Sequence, residues 1–312
     1  MGQTTTRHEK TLEPFLNHDH AKASDPLWPL LALFLGAAAI ATSPIWVRLS
    51  ELNPTTSAFQ RVFLALPLLA AYLRFKGLSI SGQWRSLSPA TRNGALLAGL
   101  FFAGDLASWH WSIEYTTVAN STLFANFSPI FVTLITWLVY KQHVSKGFLL
   151  GMFAALSGAM VLVGFNLVMA PERLIGDGLG MITGMFYAGY ILSIARARRV
   201  MDVASVLFFS TAATAVCLLP LALLAPGPLF PATLNGWLII LALAWFSHSV
   251  GQGLIAFALA HLPATFSSVG LLTQPLIAAL LAWWLFAEAI GPWQALGGAV
   301  IVLGIVIAKR GS

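Results

Sequence analysis

Between Asp202 and Glu288 the chain runs for 85 residues without a single Asp, Glu, Lys or Arg. A soluble globular protein carries about 25% charged residues, whereas this whole chain carries 9% and is 58% apolar. A helix needs roughly 20 apolar residues to cross the hydrocarbon core of a membrane. The uncharged stretch therefore predicts three or four membrane-spanning helices, and its composition excludes a water-soluble fold.

Pro, Gly and charged residues divide the apolar sequence into about ten spans. The spans cover roughly 28–49, 57–74, 93–113, 117–139, 147–167, 176–196, 203–225, 233–258, 264–286 and 291–308. Some joints, at 114–116 and 261–263 especially, are so short that they must join antiparallel neighbours. The polar residues 1–27 are too long and too acidic for the start of a signal peptide, and we interpret them as a cytoplasmic tail.

The distribution of basic residues predicts the orientation. On this division 14 of the 17 Lys and Arg residues lie on the side of the two termini. The exceptions are Arg48 and Arg173 on the opposite side and Arg61 within a span. The positive-inside rule then places both termini of a multi-pass membrane protein in the cytoplasm. It also explains the pI of 9.8 without nucleic acid as a partner.

The two halves of the chain repeat each other. An offset of 146 matches Ser121, Pro129, Trp137, Gly151 and Gly158 with Ser267, Pro275, Trp283, Gly297 and Gly304, and an offset of 148 matches Gly36 with Gly184. Each half, 28–167 and 168–312, then holds five spans, and an odd number inserts the second copy upside down. This predicts an all-α integral membrane protein of ten helices in two inverted five-helix repeats, the architecture of alternating-access transporters. A duplicated membrane scaffold that moves nothing is the alternative.

The residues at the corner of the third and fourth spans carry a family resemblance. Residues 115–120 read Tyr-Thr-Thr-Val-Ala-Asn, Ser128 and Pro129 follow, and the second half repeats the pattern with Gln274 and Pro275. The chain thus resembles the drug/metabolite transporter superfamily in its ten-helix form with two EamA-type repeats. One departure is clear, because Gln142 stands where an acidic residue commonly closes the fourth span, while its counterpart Glu288 is kept.

Within that superfamily, residues 103–112 are most similar to the YddG-type exporters of aromatic amino acids. The resemblance implies an inner-membrane secondary transporter that exports amino acids, preferably aromatic or hydrophobic ones, through a central cavity between the repeats. Export of hydrophobic drugs, organic cations or other small metabolites is the alternative, since an acid beside tryptophans suits those substrates too.

Asp105 lies near the middle of the third span, where a carboxylate is costly unless it is paired, protonated or facing water. It is a candidate to meet a substrate ammonium group or to carry a proton; the alternative is a neutral carboxyl that ties two helices together. Trp109 follows at i+4 on the same helix face and suits an aromatic or cationic ligand. In the eighth span Trp245, His248 and Gln252 form a polar stripe that faces either the cavity or another helix.

The predicted substrate-binding residues are Ser43, Asp105, Trp109, Asn126, Tyr187, Trp245, His248, Gln252 and Gln274. Pro44, Pro129 and Pro275 are predicted hinges, because proline within a span frees a backbone carbonyl and kinks the helix. Arg61 is interpreted as structural, in the first turn of its span and paired with Glu51 or Glu114.

Phosphate-loop, HExxH and Gly-x-Ser-x-Gly motifs are missing from the sequence, which argues against ATP-driven transport and against an enzyme. The single cysteine, Cys217, excludes a disulfide and argues against a structural zinc cluster. We therefore expect no cofactor and no metal. The expected partners are a small-molecule substrate and membrane lipids, and a monomer is compatible with the sequence.

Overall fold

The computed structural model describes residues 27–163, 173–286 and 290–312. In these ranges the chain forms helices and no strands, and ten helical units have the length of a membrane crossing. The first five spans are Leu27–Ala41 with Ser43–Leu49, Pro54–Phe63 with Ala65–Phe75, Pro89–Tyr115, Val118–Ala125 with Ser128–Leu138, and Lys146–Val163. The second five are Leu174–Ala197, Val203–Leu224, Leu234–Leu241 with Ala242–Gln252 and Gly253–Ala258, Ala264–Gly270 with Thr273–Phe286, and Pro292–Gly311. The predicted ten-helix fold is confirmed.

The third span is the most polar of the ten. Within the described residues, nine segments are both long and apolar enough to cross a membrane, and Pro89–Tyr115 is not among them. It is nevertheless the longest helix, with 27 residues, about 40 Å at 1.5 Å per residue. Its hydropathy is low because it carries Asp105, Ser108, His110 and Ser112, all of which are buried against other helices.

Polar caps followed by proline determine where several spans begin. The Ser88 hydroxyl accepts a hydrogen bond from the Thr91 N–H at 3.2 Å, directly before Pro89. The Asn53 side chain does the same for the Thr56 N–H at 2.9 Å, directly before Pro54. A cap provides a hydrogen-bond acceptor for a free N–H of the first turn. Proline at the first helical position costs no hydrogen bond, because an N–H there has no partner within the helix.

The fifth and tenth spans pack antiparallel along a seam of small residues. A Cβ on Gly151 would lie 2.6 Å from the Gly304 carbonyl oxygen and 2.2 Å from the Ala308 nitrogen. A Cβ on Gly297 would lie 2.7 Å from the Gly158 carbonyl oxygen and 2.5 Å from the Leu162 nitrogen. These two sets of contacts interchange under the offset of 146. The seam therefore has a pseudo-twofold axis perpendicular to two antiparallel helices, which is the symmetry of an inverted repeat.

Four spans are broken near a proline, among them the second, which breaks at Leu64, three residues before Pro67. The first breaks at Thr42, the fourth at Asn126 and Phe127, and the ninth at Leu271 and Leu272. Pro44, Pro129 and Pro275 follow these breaks within four residues, and each lacks the N–H that would continue the helix across the gap. The breaks of the fourth and ninth spans lie within one residue of matching positions in the two repeats.

Packing differs between the two ends of the molecule. We call the end at which the helical chain starts and finishes, at Leu27 and Gly311, the terminal side, and the other end the far side. The terminal-side halves of the sixth and ninth spans are sealed by side chains with at most 1% exposure, including Ile191, Ile194, Val269 and Leu272. Their far-side halves are largely half-buried or exposed. The interior is therefore closed toward the terminal side.

Candidate functional site

A cavity of about 750 Å³, including its open mouth, lies among the first, second, third, fourth, sixth, eighth and ninth spans. Seven of the nine predicted substrate-binding residues line it, namely Ser43, Asp105, Trp109, Asn126, Tyr187, Gln252 and Gln274. The predicted hinge residues Pro44 and Pro275 also line it, whereas Pro129 is buried in the terminal-side packing. The cavity thus lies where the helix breaks of the first, fourth and ninth spans meet.

The cavity contains one basic and one acidic side chain. Arg61 is 5% exposed and Asp105 is 8% exposed, and both line the cavity. The two side chains do not approach within the 4.0 Å of an ion pair. The guanidinium carbon of Arg61 instead lies 5.9 Å from the centre of the Phe102 ring, a cation–π contact. The two charged groups therefore line one cavity without a direct ion pair between them.

The ion pair predicted between Arg61 and Glu51 or Glu114 does not form. The second span begins at Pro54, three residues before the predicted start, because the Asn53 cap and Pro54 initiate the helix there. Arg61 consequently lies two turns into the span. Glu51, its expected partner, accepts hydrogen bonds from the Thr233 hydroxyl and from the backbone N–H of Ala232 at 2.9 Å. A helix start at residue 57 predicts Arg61 at the end of its span, whereas the start at Pro54 places it at the depth of the cavity.

Several uncharged polar atoms of the cavity wall lack a hydrogen-bond partner within the protein. They are Ser43 Oγ, Thr122 Oγ1, Tyr187 Oη and Gln252 Oε1, and the Arg61 Nε is in the same state. The Tyr187 hydroxyl lies near the side-chain amides of Gln252 and Gln274 without meeting hydrogen-bond geometry to either. A buried polar group without a partner is costly, so these atoms are available to bind a ligand.

Aromatic rings form the apolar part of the wall. Trp109 and Phe102 line the cavity from the third span. The Phe102 ring packs on Tyr190, with centroids 4.6 Å apart, and on His248, with centroids 5.5 Å apart. His110, next to Trp109, is buried, and its Nδ1 donates to the Leu106 carbonyl at 2.6 Å. These contacts hold the rings that border the cavity.

Trp245 and His248 lie outside the cavity, contrary to the predicted stripe. Trp245 is 45% exposed on the outer surface, and its indole N–H donates to the Leu64 carbonyl at 3.0 Å. His248 is buried behind Phe102, with its Nε2 3.0 Å from the Thr211 hydroxyl. The prediction assumed α-helical spacing, but Ala242–Gln252 forms a π-helix. Its wider i→i+5 turns rotate Trp245, seven residues before Gln252, away from the helix face on which Gln252 lines the cavity.

Two further expectations concern residues away from the cavity. Glu288, the acid that keeps the pattern closing the ninth span, lies outside the described residues. In the described part of the chain, the His, Cys, Asp and Glu side chains form no group of three or more that would hold a metal ion.

Ten spans folded as an inverted repeat around a cavity lined by two buried charged side chains define a membrane transporter. The sequence matches the EamA-like transporter family over residues 27–164 and 174–309, and the chain belongs to this family. The resemblance to the drug/metabolite transporter superfamily is thereby confirmed.

Individual relatives agree with this assignment. An uncharacterized transporter of Archaeoglobus fulgidus is 26% identical over 270 residues, covering 84% of this chain and 90% of the relative. The pseudopaline exporter CntI of Pseudomonas aeruginosa is 23% identical, covering 83% of this chain and 89% of the relative. A protein of known crystal structure superposes with a TM-score of 0.76 at 19% identity, over 90% of this chain and 96% of that protein. That structure shows the same fold.

Proposed function

We propose that this transporter exports amino acids, with a preference for aromatic and hydrophobic side chains, by alternating access through the central cavity. The observation that carries the proposal is the presence of Arg61 and Asp105 in one cavity, with neither side chain engaged by the other. An amino acid at neutral pH is a zwitterion and offers one group to each of them.

The charge arrangement favours a zwitterion over a simple ion. The guanidinium of Arg61 suits a carboxylate, because its fork of N–H donors matches two carboxylate oxygens. The Asp105 carboxylate accepts hydrogen bonds from an ammonium group. Hydrogen bonds to charged groups contribute about 1.5–3 kcal/mol each. A substrate with both groups gains both contributions and adds no net charge to the membrane interior.

The uncharged wall suits the rest of such a substrate. Trp109 and Phe102 present aromatic surface, and aromatic pairs contribute about 0.5–1.5 kcal/mol beyond the area they bury. Ser43, Thr122 and Gln252 supply hydroxyl and amide groups without partners.

Two further observations support the direction and the location of transport. A relative named as an exporter supports export. The excess of Lys and Arg on the terminal side supports cytoplasmic termini in a bacterial inner membrane. The proposed partners are the small-molecule substrate and membrane lipids, without nucleic acid, cofactor or catalytic chemistry.

Export of hydrophobic drugs or organic cations is the second candidate, and Asp105 beside Trp109 is the observation that favours it. Arg61 weighs against it, because a second positive charge in the same cavity repels a cation. Competition separates the two candidates. If a decarboxylated amine competes with transport as well as its parent amino acid does, the cation exporter is favoured.

The test is efflux from liposomes that contain the purified protein and a mixture of the twenty amino acids, with and without a proton gradient. We expect selective loss of Phe, Trp, Tyr or Met, and protein-free liposomes are the control. If no amino acid leaves while a lipophilic cation does, the amino-acid proposal fails and the second candidate replaces it.

A further inference from the structure

The fourth and ninth spans contribute six residues to the cavity wall, three each. They are Thr122, Ala125 and Asn126 in the fourth span and Gln274, Pro275 and Ala278 in the ninth. Five of these six are partly exposed, and only Pro275 is buried. In these two spans, then, the cavity lies on the far side of the helix breaks and along the first turns of the ninth span's second helix.

Each of the six has a counterpart at the offset of 146 in the other repeat. The counterparts are Ser268, Leu271 and Leu272 in the ninth span and Ser128, Pro129 and Val132 in the fourth. All six are buried, and the five other than Pro129 have exposures between 0% and 3%. One set of symmetry-related positions is thus open, and the equivalent set is closed.

Helix packing agrees with this division. On the terminal side Ser128–Leu138 of the fourth span packs against Ala264–Gly270 of the ninth. The symmetry-related halves on the far side, Val118–Ala125 and Thr273–Phe286, lack an equivalent extended contact, and the cavity lies between them. The molecule therefore breaks its own internal symmetry at this pair of spans.

In an inverted repeat, the two halves exchange conformations when the protein changes the side to which it opens. We infer that Ser128, Pro129, Val132, Ser268, Leu271 and Leu272 are a second substrate-contacting surface, which we call the terminal-side gate. It is sealed in this structure and lines the pathway when the transporter opens to the terminal side. This inference rests on the proposed transport by alternating access.

The chemistry of the gate differs from that of the open surface. Asn126 has Leu272 as its counterpart, and Gln274 has Ser128, so both side-chain amides are replaced. Two hydroxyls and four apolar side chains then line the terminal-side pathway. This surface suits a substrate with an apolar side chain, while Arg61 and Asp105 at the centre retain the charged groups.

Cysteine labelling tests the gate, since Cys217 is the only native cysteine and Cys217→Ala removes it. Two symmetry-matched pairs are compared in liposomes: Ala125→Cys with Leu271→Cys, and Ala278→Cys with Val132→Cys. A membrane-impermeant maleimide is added to one side at a time. Ser312→Cys marks the terminal side, Asn235→Cys marks the far side, and both positions are exposed. Ala159→Cys, at a fully buried position of the fifth span, gives the background.

We expect the Ala125→Cys and Ala278→Cys variants to react from the far side when no solute is present. During amino-acid transport, the Val132→Cys and Leu271→Cys variants should react from the terminal side at least tenfold faster than the Ala159→Cys variant. If transport proceeds while both stay at that background, the gate inference is wrong.

Flux measured on the same liposomes separates the gate from the substrate proposal. If amino acids do not move but a lipophilic cation does, and the cation speeds terminal-side labelling at positions 132 and 271, the gate stands and the amino-acid proposal fails. If neither solute moves, the gate is tested by labelling positions 132 and 271 from the terminal side for a longer time without solute. Reaction above the Ala159→Cys background then supports the gate, and reaction equal to it overturns the gate.

Discussion

Arg61 of the second span and Asp105 of the third span face one cavity without forming an ion pair. Both are more than nine-tenths buried, and charges at such depth interact strongly because little water screens them. Neither has a charged counterpart in the second repeat, whose spans from Val203 to Phe286 carry no Asp, Glu, Lys or Arg. The inverted repeat thus supplies a symmetric scaffold, and the first repeat supplies the charges.

Asp105→Asn should weaken binding of the substrate ammonium group. Loss of a charged hydrogen bond costs about 1.5–3 kcal/mol, so we expect the KM for amino-acid transport to rise roughly 10- to 100-fold in folded protein. Deaminated acids should still compete, while amines should lose their competition. Glu114→Gln, which removes an exposed carboxylate, is the control. Normal transport by Asp105→Asn at every pH would contradict the role of Asp105.

Arg61→Gln should weaken binding of the substrate carboxylate by a similar factor, roughly 10- to 100-fold in KM. Decarboxylated amines should compete at least as well as before, since the substitution removes a repulsive charge. The control is Arg48→Gln, because Arg48 is exposed at the end of the first span. Competition assays on both variants measure the difference, and an unchanged ratio of amino-acid to amine competition would disprove the assignment.

Trp109→Ala should reduce the preference for aromatic substrates. Trp109 lines the cavity, whereas Trp111, two residues on, is 47% exposed on the outer surface. We expect the ratio of Phe to Ala transport to fall roughly 2- to 10-fold in Trp109→Ala, from the aromatic contribution of about 0.5–1.5 kcal/mol. Trp111→Ala should leave this ratio unchanged. Equal effects of the two substitutions would show that Trp109 does not select the side chain.

Gly151→Ala should destabilise the seam between the fifth and tenth spans. The added methyl group would lie 2.2 Å from the Ala308 nitrogen, and overpacking of this kind costs typically about 1–3 kcal/mol. Gly94→Ala in the third span is the matched control, since a Cβ there meets nothing within 4 Å. Thermal unfolding in detergent should show a lower midpoint for Gly151→Ala alone. Equal midpoints would show that the two helices adjust to the added methyl group without loss of stability.

Glu51→Gln should remove an acid-sensitive part of the stability. The Thr233 hydroxyl and the backbone N–H groups of Ala232 and Thr233 hold the pKa of Glu51 below its usual value of 4.5. Because the folded-state pKa is depressed, this stabilisation is present above about pH 4.5 and is lost as the pH falls through the lower folded-state value.

The measurement for Glu51 is the unfolding midpoint between pH 7 and pH 3. The wild-type midpoint should fall more steeply on acidification than that of Glu51→Gln, and Glu114→Gln should follow the wild type. Parallel curves for the wild type and Glu51→Gln would show that the hydrogen bonds to Glu51 do not contribute to stability.

The spans were predictable because hydropathy and helix-ending residues act locally. Asp105 and Trp109 were correctly expected on one helix face because Pro89–Tyr115 is a regular α-helix. The eighth span shows the limit of that reasoning. An α-helical period predicts Trp245 and Gln252 on one face, and the π-helix at Ala242–Gln252 rotates Trp245 away from Gln252. Periodicity predicts a helix face only where the helix type is known.

The sequence by itself determined the membrane location, the ten spans and the repeat, because apolar length, charge distribution and matched glycines and prolines are properties of the chain. Only the tertiary structure decided that Arg61 lines the same cavity as Asp105. It also decided which of the two symmetry-related surfaces is open. Those outcomes depend on the rotation and depth of each helix against its neighbours. Two repeats with the same pattern of spans can pack in two arrangements, and that pattern, which is alike in both, does not choose between them.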